Sequence, residues 1–415
     1  MIELHFLGGA REVGRNSLLV DTGVEKFLLD YGVNVQTGEG PERPNINLDA
    51  VFLTHAHLDH SGFLPELYRR GYVRNVYATP VTFELTYVLL KDSIKLQEMF
   101  NQVPSFSMKD VKRMGKHQMF LEHGEKEHFT TSTVEFFHAG HIPGSVSVMI
   151  ECGNKRILYT GDIKFMDTKL MYGAFTDYKD VDVLISEATY SYMNHPDRKD
   201  LEDRLKEVIQ ETVYNNGIAI VPAFAVGRTQ ELLLILKDLG FPIYLDGMGI
   251  TATEKILKYP ESVRNAKDLK EAFSKAHKIK KMHERGNVLN KPCIIITTAG
   301  MLNGGPVGNY IKKLYNRPEC SVILSGYQIK GTVGRTLLET GVYTNGEISV
   351  KPKMHVEFLD FSAHTDHDHL IKFYEKISPE KIFLIHGEKT VEFAEELKQR
   401  GFDAYAPRNG EKVIV

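Results

Sequence analysis

The sequence predicts an α/β protein in which one domain is interrupted by another of the same class. Short apolar runs alternate with amphipathic stretches along the chain, the pattern of helices packed on sheets. One group of apolar runs ends on ionisable residues, at Asp30, His55, Asp162, Glu187 and His386. Sites in open α/β sheets lie outside the carboxyl ends of the strands, so these endings point to one shared site. They span positions 30 to 386, while a second group of runs lies between about 190 and 350. The chain therefore leaves its first sheet and later returns. The expected boundaries are 1–190 for the first part of the core, 191–350 for the insert and 351–415 for the return segment.

Taken in order, the amino terminus MIELHFLGGAREVG reads as a strand entering a glycine turn, with no layout of a secretory signal. Strands of the core are predicted at 27–30 (FLLD), 50–55 (AVFLTH), 156–162 (RILYTGD), 181–188 (VDVLISEA) and 381–386 (KIFLIH). Strands of the insert are predicted at 218–224, 242–246, 293–298 and 321–325. Leu201, Leu205, Val208, Ile209 and Val213 recur at helical spacing over 201–213, and 229–239 is a second helix stopped by Gly240.

Composition narrows the class. The 415 residues carry 51 Lys and Arg against 54 Asp and Glu, a net charge of −3, which excludes a chain held on nucleic acid by bulk charge. No apolar run approaches the ~20 residues of a membrane span, so no membrane association is expected. Cys152, Cys293 and Cys320 lie far apart, in neither a disulfide framework nor a metal-ligand spacing, which fits a reducing cytoplasm.

The segment LTHAHLDHSG at 53–62 carries the chemistry. His55, His57, Asp59 and His60 offer four ligand-type side chains directly after a predicted strand. His-x-His in an extended segment points both imidazoles to one side, while Asp59 and His60 turn toward a second ion. Imidazole and carboxylate ligands suit zinc, and manganese and iron take similar sets. Downstream, His141 stands between Gly140 and Gly144, glycines that allow close backbone approach. Asp162 and His386 each end a strand, and a carboxylate at Asp162 could bridge two ions.

With these residues in place, the chain resembles the metallo-β-lactamase fold, and within it the β-CASP nucleases typified by RNase J and the cleavage and polyadenylation endonuclease subunit, in a compact archaeal or bacterial form. The resemblance rests on His-x-His-x-Asp-His, His141 and Asp162, on Glu187 in SEAT, His364 in FSAHTD and His386 in LIHGE. AFAVGRTQELLLIL at 223–236 and SGYQIKGTVGR at 325–335 add to it. It implies an αββα metallo-β-lactamase sandwich carrying an inserted β-CASP domain. It also implies that His55, His57 and His141 bind one zinc and Asp59, His60 and His386 a second, with Asp162 bridging and Asp30 supporting the ligand loop. The implied reaction is RNA hydrolysis by metal-activated hydroxide, in the endonucleolytic or 5′-to-3′ exonucleolytic mode, leaving 5′-phosphate and 3′-hydroxyl ends. His364 is then the general acid and Glu187 its orienting carboxylate.

Histidine rather than valine in the last motif resembles the RNA-acting members, so single-stranded RNA is the expected partner, with a DNA-processing nuclease or a non-catalytic subunit as the alternatives. The chain is expected to act as a monomer or homodimer. Residues 251–291 hold eleven Lys or Arg against five Asp or Glu, a segment that could track phosphates or simply be a solvated face. Arg228, Ser325, Lys330 and Arg335 are the further candidates for substrate contact, Arg228 because it stands at a predicted helix start.

Overall fold

A computed structural model of the chain describes residues 1–99 and 103–415. It divides into two compact units. The first comprises Met1–Asp167, Tyr172–Asn194 and His364–Val415, and the second Thr168–Met171 and His195–Ala363.

The first unit is built on two seven-stranded sheets. One runs, in spatial order, Lys412–Ile414, Glu3–Gly8, Ser17–Asp21, Lys26–Leu29, Ala50–Phe52, Val76–Ala78 and Gln118–Phe120. The other runs Ala404–Tyr405, Lys381–Ile385, Val183–Glu187, Lys155–Tyr159, Val146–Cys152, Ser132–His138 and Lys126–His128. Alternate residues of a strand face opposite sides of the sheet, and the apolar pattern follows that period. Phe6, Phe27 and Phe52 of one sheet meet Phe136, Ile150, Tyr159, Ile185 and Phe383 of the other in a single buried cluster. Their neighbours Leu28 and Val51 point outward onto helices Leu64–Arg69 and Pro80–Met99. Leu158, Leu184 and Leu384 do the same toward helices His367–Ile377 and Thr390–Gln399. The result is the four-layer αββα sandwich.

Parallel register gathers the ionisable strand endings. Leu29 pairs with Phe52 in one sheet, while in the other Tyr159 pairs with Ile185 and Glu187 with Ile385. Asp30, His55, Asp162, Glu187 and His386 therefore leave their strands at the carboxyl ends. The ladders stop earlier than the apolar runs suggest, at Phe52 and Tyr159. Beyond Phe52 the chain's hydrogen bonds are redirected: the Thr54 amide donates to the Asp30 carboxylate (2.8 Å).

The second unit contains a six-stranded sheet in the order His277–Ile279, Ile243–Asp246, Cys293–Thr297, Ile218–Pro222, Ser321–Leu324 and His355–Phe358, parallel throughout. The last strand carries this unit to Ala363, beyond the return expected near 350. Its sequence, HVEF, pairs along one side only and is partly solvated, so it lacks the apolar run by which the other strands announce themselves. Helix Arg198–Tyr214 starts on Asp197, whose carboxylate accepts from the amides of Lys199 and Asp200. Helix Arg228–Leu236 ends before Gly240, the stop expected for it.

Candidate metal centre

Asp162 stands at the middle of the cluster, and its two carboxylate oxygens face different partners. Oδ2 lies 3.5 Å from His55 Nε2 and 3.6 Å from His141 Nε2. Oδ1 lies 3.2 Å from His60 Nε2 and 3.3 Å from His386 Nδ1. His57 Nδ1 approaches His141 Nε2 at 3.1 Å, and His386 Nε2 lies 3.2 Å from Asp59 Oδ2. Two groups with the spacing of metal ligands follow, His55–His57–His141–Asp162 and His60–Asp162–His386, and Asp59 joins His55 and His60 in a further one. All seven residues named from the sequence as ligands are brought together.

The donor set fits a pair of divalent cations. His55 Nε2 and His57 Nε2 are buried polar atoms with no hydrogen-bond partner, a cost that folded proteins rarely leave uncompensated. Their chemistry, imidazole nitrogen and carboxylate oxygen, is that of zinc, manganese or iron sites.

The local chain geometry is specialised for this. Asp30 and His386 adopt left-handed φ values of 57° and 49°, a strain of about 1–3 kcal/mol each that turns the side chain at the strand end. Gly140, before His141, has φ 72°, and a Cβ there would meet the Lys164 carbonyl oxygen at 2.3 Å. Asp30 accepts from Thr54 N–H, from Tyr159 O–H (3.0 Å) and from His60 Nδ1 (2.7 Å). That last contact puts the proton of His60 on Nδ1 and frees Nε2 for a cation, as a supporting carboxylate does beside a ligand imidazole.

Several supporting groups escaped the sequence reading. Asn16 Nδ2 lies 3.0 Å from His60 Nε2, Thr54 Oγ1 3.1 Å from His55 Nδ1, and Thr189 Oγ1 3.0 Å from His386 Nδ1. Tyr159 is fully buried on the Asp30 carboxylate. Each lies within two residues of a strand end, where it reads as ordinary core or turn. Only Thr54 had a signal, its place inside LTHAH.

Glu187 and His364 meet as expected. The carboxylate accepts from the amides of Ile163 (2.8 Å) and Thr189 (3.3 Å), and lies 2.9 and 3.0 Å from His364 Nδ1. His364 Nε2 consequently turns to the ligand cluster, 4.0 Å from Asp162 Oδ2. The buried Lys164 ammonium donates to the His364 carbonyl (2.8 Å). His138, His367 and His369 are engaged elsewhere, with Tyr172, Glu396 and Asp366 respectively.

Electrostatics divides the cluster by role. Desolvation holds His55 and His57 below the usual imidazole range, in the neutral form that ligates. Burial alone would raise Asp59 and Asp162, but His386 and His60 outweigh it and keep both below the usual carboxylate range. Burial likewise opposes charge on His364, yet Glu187 and Asp162 prevail and raise it to about 9. Bound cations nearby would pull that value back down.

The four candidates for substrate contact lie in the second unit. Arg228 begins helix Arg228–Leu236 but is buried, and its guanidinium donates to the Ser325 carbonyl. The Ser325 hydroxyl donates inward to the Pro222 carbonyl (2.7 Å). Lys330 is exposed in the turn before helix Val333–Thr340, and Arg335 on that helix pairs with Glu339 (2.6 Å). Arg228 and Ser325 thus brace two loops against each other. In 251–291, Arg285 is held by the buried Asp246 and Lys275 by Glu271, while Lys258, Lys267, Lys270, Lys280, Lys281 and Lys291 are exposed.

Comparison with known proteins matches residues 10–201 to the metallo-beta-lactamase superfamily, 229–337 to the Beta-Casp domain and 349–407 to the Zn-dependent metallo-hydrolase RNA specificity domain. The chain is also 39% identical, over the whole of both proteins, to a probable RNase MJ4 of Methanocaldococcus jannaschii. The chain belongs to the β-CASP branch of the metallo-β-lactamase superfamily. This β-CASP chain is 35% identical to RNase aCSPSF2 of Saccharolobus solfataricus, with 99% of its own length and 85% of the relative covered. It is 36% identical to the transcription termination factor FttA of Pyrococcus abyssi, covering 98% of itself and 70% of that protein. A crystal structure of a protein of unknown function from Enterococcus faecalis V583 shares the fold, with a TM-score of 0.66 at 16% identity over all of both chains. The Beta-Casp match falls inside the second unit, and the RNA specificity match crosses from it into the first.

Proposed function

We infer that this chain is a metal-dependent ribonuclease that hydrolyses RNA phosphodiester bonds. The observation that carries the reading is Asp162, whose two oxygens divide the imidazoles into two groups beside His364 Nε2. Our reading assigns His55, His57, His141 and Asp162 to one zinc ion and Asp59, His60, His386 and Asp162 to another. When bound, such a pair supplies an acidified water as nucleophile and positive charge for the phosphoryl oxygens.

The chain's own groups handle the leaving oxygen. Glu187, fixed by two backbone amides, holds the His364 Nδ1–H, so the transferable proton sits on Nε2 and faces the cluster. From there it passes to the 3′ oxygen as the bond to phosphorus breaks, leaving 3′-hydroxyl and 5′-phosphate ends. Single-stranded RNA is the proposed substrate, and Lys258, Lys267, Lys270, Lys280, Lys281 and Lys291, all exposed, are its proposed phosphate contacts. A cytoplasmic site of action completes the reading: Cys152, Cys293 and Cys320 are free thiols, and no helix among the described residues is long and apolar enough to cross a membrane.

The test uses one RNA labelled separately at each end, prepared with 5′-hydroxyl, 5′-monophosphate and 5′-triphosphate. Zinc-loaded protein should cleave it, and His364→Ala should lower the rate about 10²- to 10⁴-fold with metal content near normal. Full activity in His364→Ala would remove that residue from the mechanism. No cleavage by the unaltered protein would overturn the reading itself.

A further inference from the structure

Beside the metal centre a file of rings runs outward from His386 and His364, and its outer members, Tyr190 and Tyr192, have no part in the reaction as described. The His386 and His364 rings are 5.8 Å apart and nearly parallel, at 24°. The Tyr190 ring follows His364 at 6.3 Å and 36°. Tyr192 follows Tyr190 at 6.3 Å with only 11° between the planes. At the outer end of the file Tyr190 is 1% exposed and Tyr192 is 50% exposed.

The outer rings are fixed to the segment that carries His364. Tyr190 forms a parallel bridge with Asp366, the His367 amide donates to the Met193 carbonyl (3.2 Å), and the Asp368 amide donates to the Asn194 side chain (3.0 Å). Residues 190–194 and 364–368 are thus strapped side by side. The same stretch orients the inner rings, through Glu187 on His364 and Thr189 on His386.

We propose that Tyr192, backed by Tyr190, is a stacking ledge for a base on the 5′ side of the scissile phosphate. The inference rests on the ribonuclease reading and deepens it. His364 Nε2 faces the leaving 3′ oxygen, and that oxygen belongs to the nucleotide upstream of the cut. The ring file starts at His364, so the strand it borders is the upstream one. Every base has a π-face, so a tyrosine plane seats a strand without reading its sequence, and purines, with the larger face, seat better. A tyrosine needed only for packing would bury its ring, whereas Tyr192 holds its plane parallel to a buried partner at the solvent end of the file.

The experiment uses metal-loaded full-length protein and a single-stranded RNA whose cleavage position has been mapped. Versions of that RNA carry one abasic ribose at successive positions on either side of the cut. Tyr192→Ala should raise KM about ten- to a hundred-fold with kcat little changed, and Tyr192→Phe and Tyr192→Trp should restore it. An abasic ribose one or two positions upstream should cost the unaltered protein the same factor and cost Tyr192→Ala nothing further, whereas one placed downstream should not couple to Tyr192. A merely structural tyrosine would lose activity equally on intact and abasic RNA, which overturns the ledge. A KM within twofold of the unaltered protein overturns it as well. Failure of the unaltered protein to cleave any RNA overturns the ribonuclease reading and the ledge with it, and so is distinguishable from failure of the ledge alone.

Discussion

At the scale of single residues, Asp30 shows how much of the centre depends on a group that holds no cation. Its carboxylate receives the Thr54 amide, the Tyr159 hydroxyl and His60 Nδ1, all buried. Asp30→Ala leaves those donors stranded, and we expect a loss of about 3 kcal/mol in chemical unfolding. Metal affinity should fall about 10- to 100-fold in a titration, because His60 loses the partner that fixes its tautomer. The residues proposed as ligands stand out in the sequence, since His-x-His-x-Asp-His is a dense local pattern. Asn16, Tyr159 and Thr189 do not, because a hydroxyl or amide that touches such an imidazole or its supporting carboxylate looks in sequence like any other buried polar residue. Ser325, named from the sequence as a candidate for substrate contact, has its hydroxyl committed to the Pro222 carbonyl.

At the scale of elements, the strands that end on ligands were legible because continuous apolar runs mark parallel, doubly covered strands. Strand His355–Phe358 was not, since an edge strand with partly solvated residues carries no such run. Glu25, next to strand Lys26–Leu29, is another feature that only the structure reveals. Its carboxylate accepts from the Thr131 amide (2.6 Å), the Thr131 hydroxyl and Ser132 Oγ (3.0 Å), fastening one sheet's hairpin to the turn that opens a strand of the other. Burial alone would raise its pKa, but those donors and Thr22 hold it below the ordinary 4.5. A depressed carboxylate stabilises the fold above its unfolded value and loses that contribution as pH falls through the folded one. Glu25→Gln should therefore cost about 1–3 kcal/mol at neutral pH, and the gap between variant and unaltered protein should narrow below about pH 4 in urea unfolding. On helix Ala266–Lys275, Lys267→Gln with Lys270→Gln should flatten the salt dependence of RNA binding by about 0.7 in log–log slope per lysine that meets a phosphate.

At the scale of the whole molecule, all seven residues proposed as metal ligands belong to the first compact unit. A cation that binds only the folded state stabilises what it binds, so chelation should act unevenly. In calorimetry of the full chain we expect removal of the metal to lower one unfolding transition by several degrees and leave another in place. Refilling with zinc, manganese or iron in turn should rank the cations by how far that transition recovers. The centre is also dispersed along the chain: Asp59 and His386 stand 327 positions apart with the entire second unit between them, and Glu187 and His364 stand 177 apart with its segment His195–Ala363 between. A ribosome making this protein delivers His55, His57, Asp59 and His60 early, and His364 and His386, proposed as proton donor and last ligand, late. Because chains fold from the amino end as they emerge, the proposed centre stays incomplete for as long as the chain is tethered to its own messenger with residue 386 still in the tunnel. An enzyme that destroys RNA is thereby kept from cutting the template it is being read from.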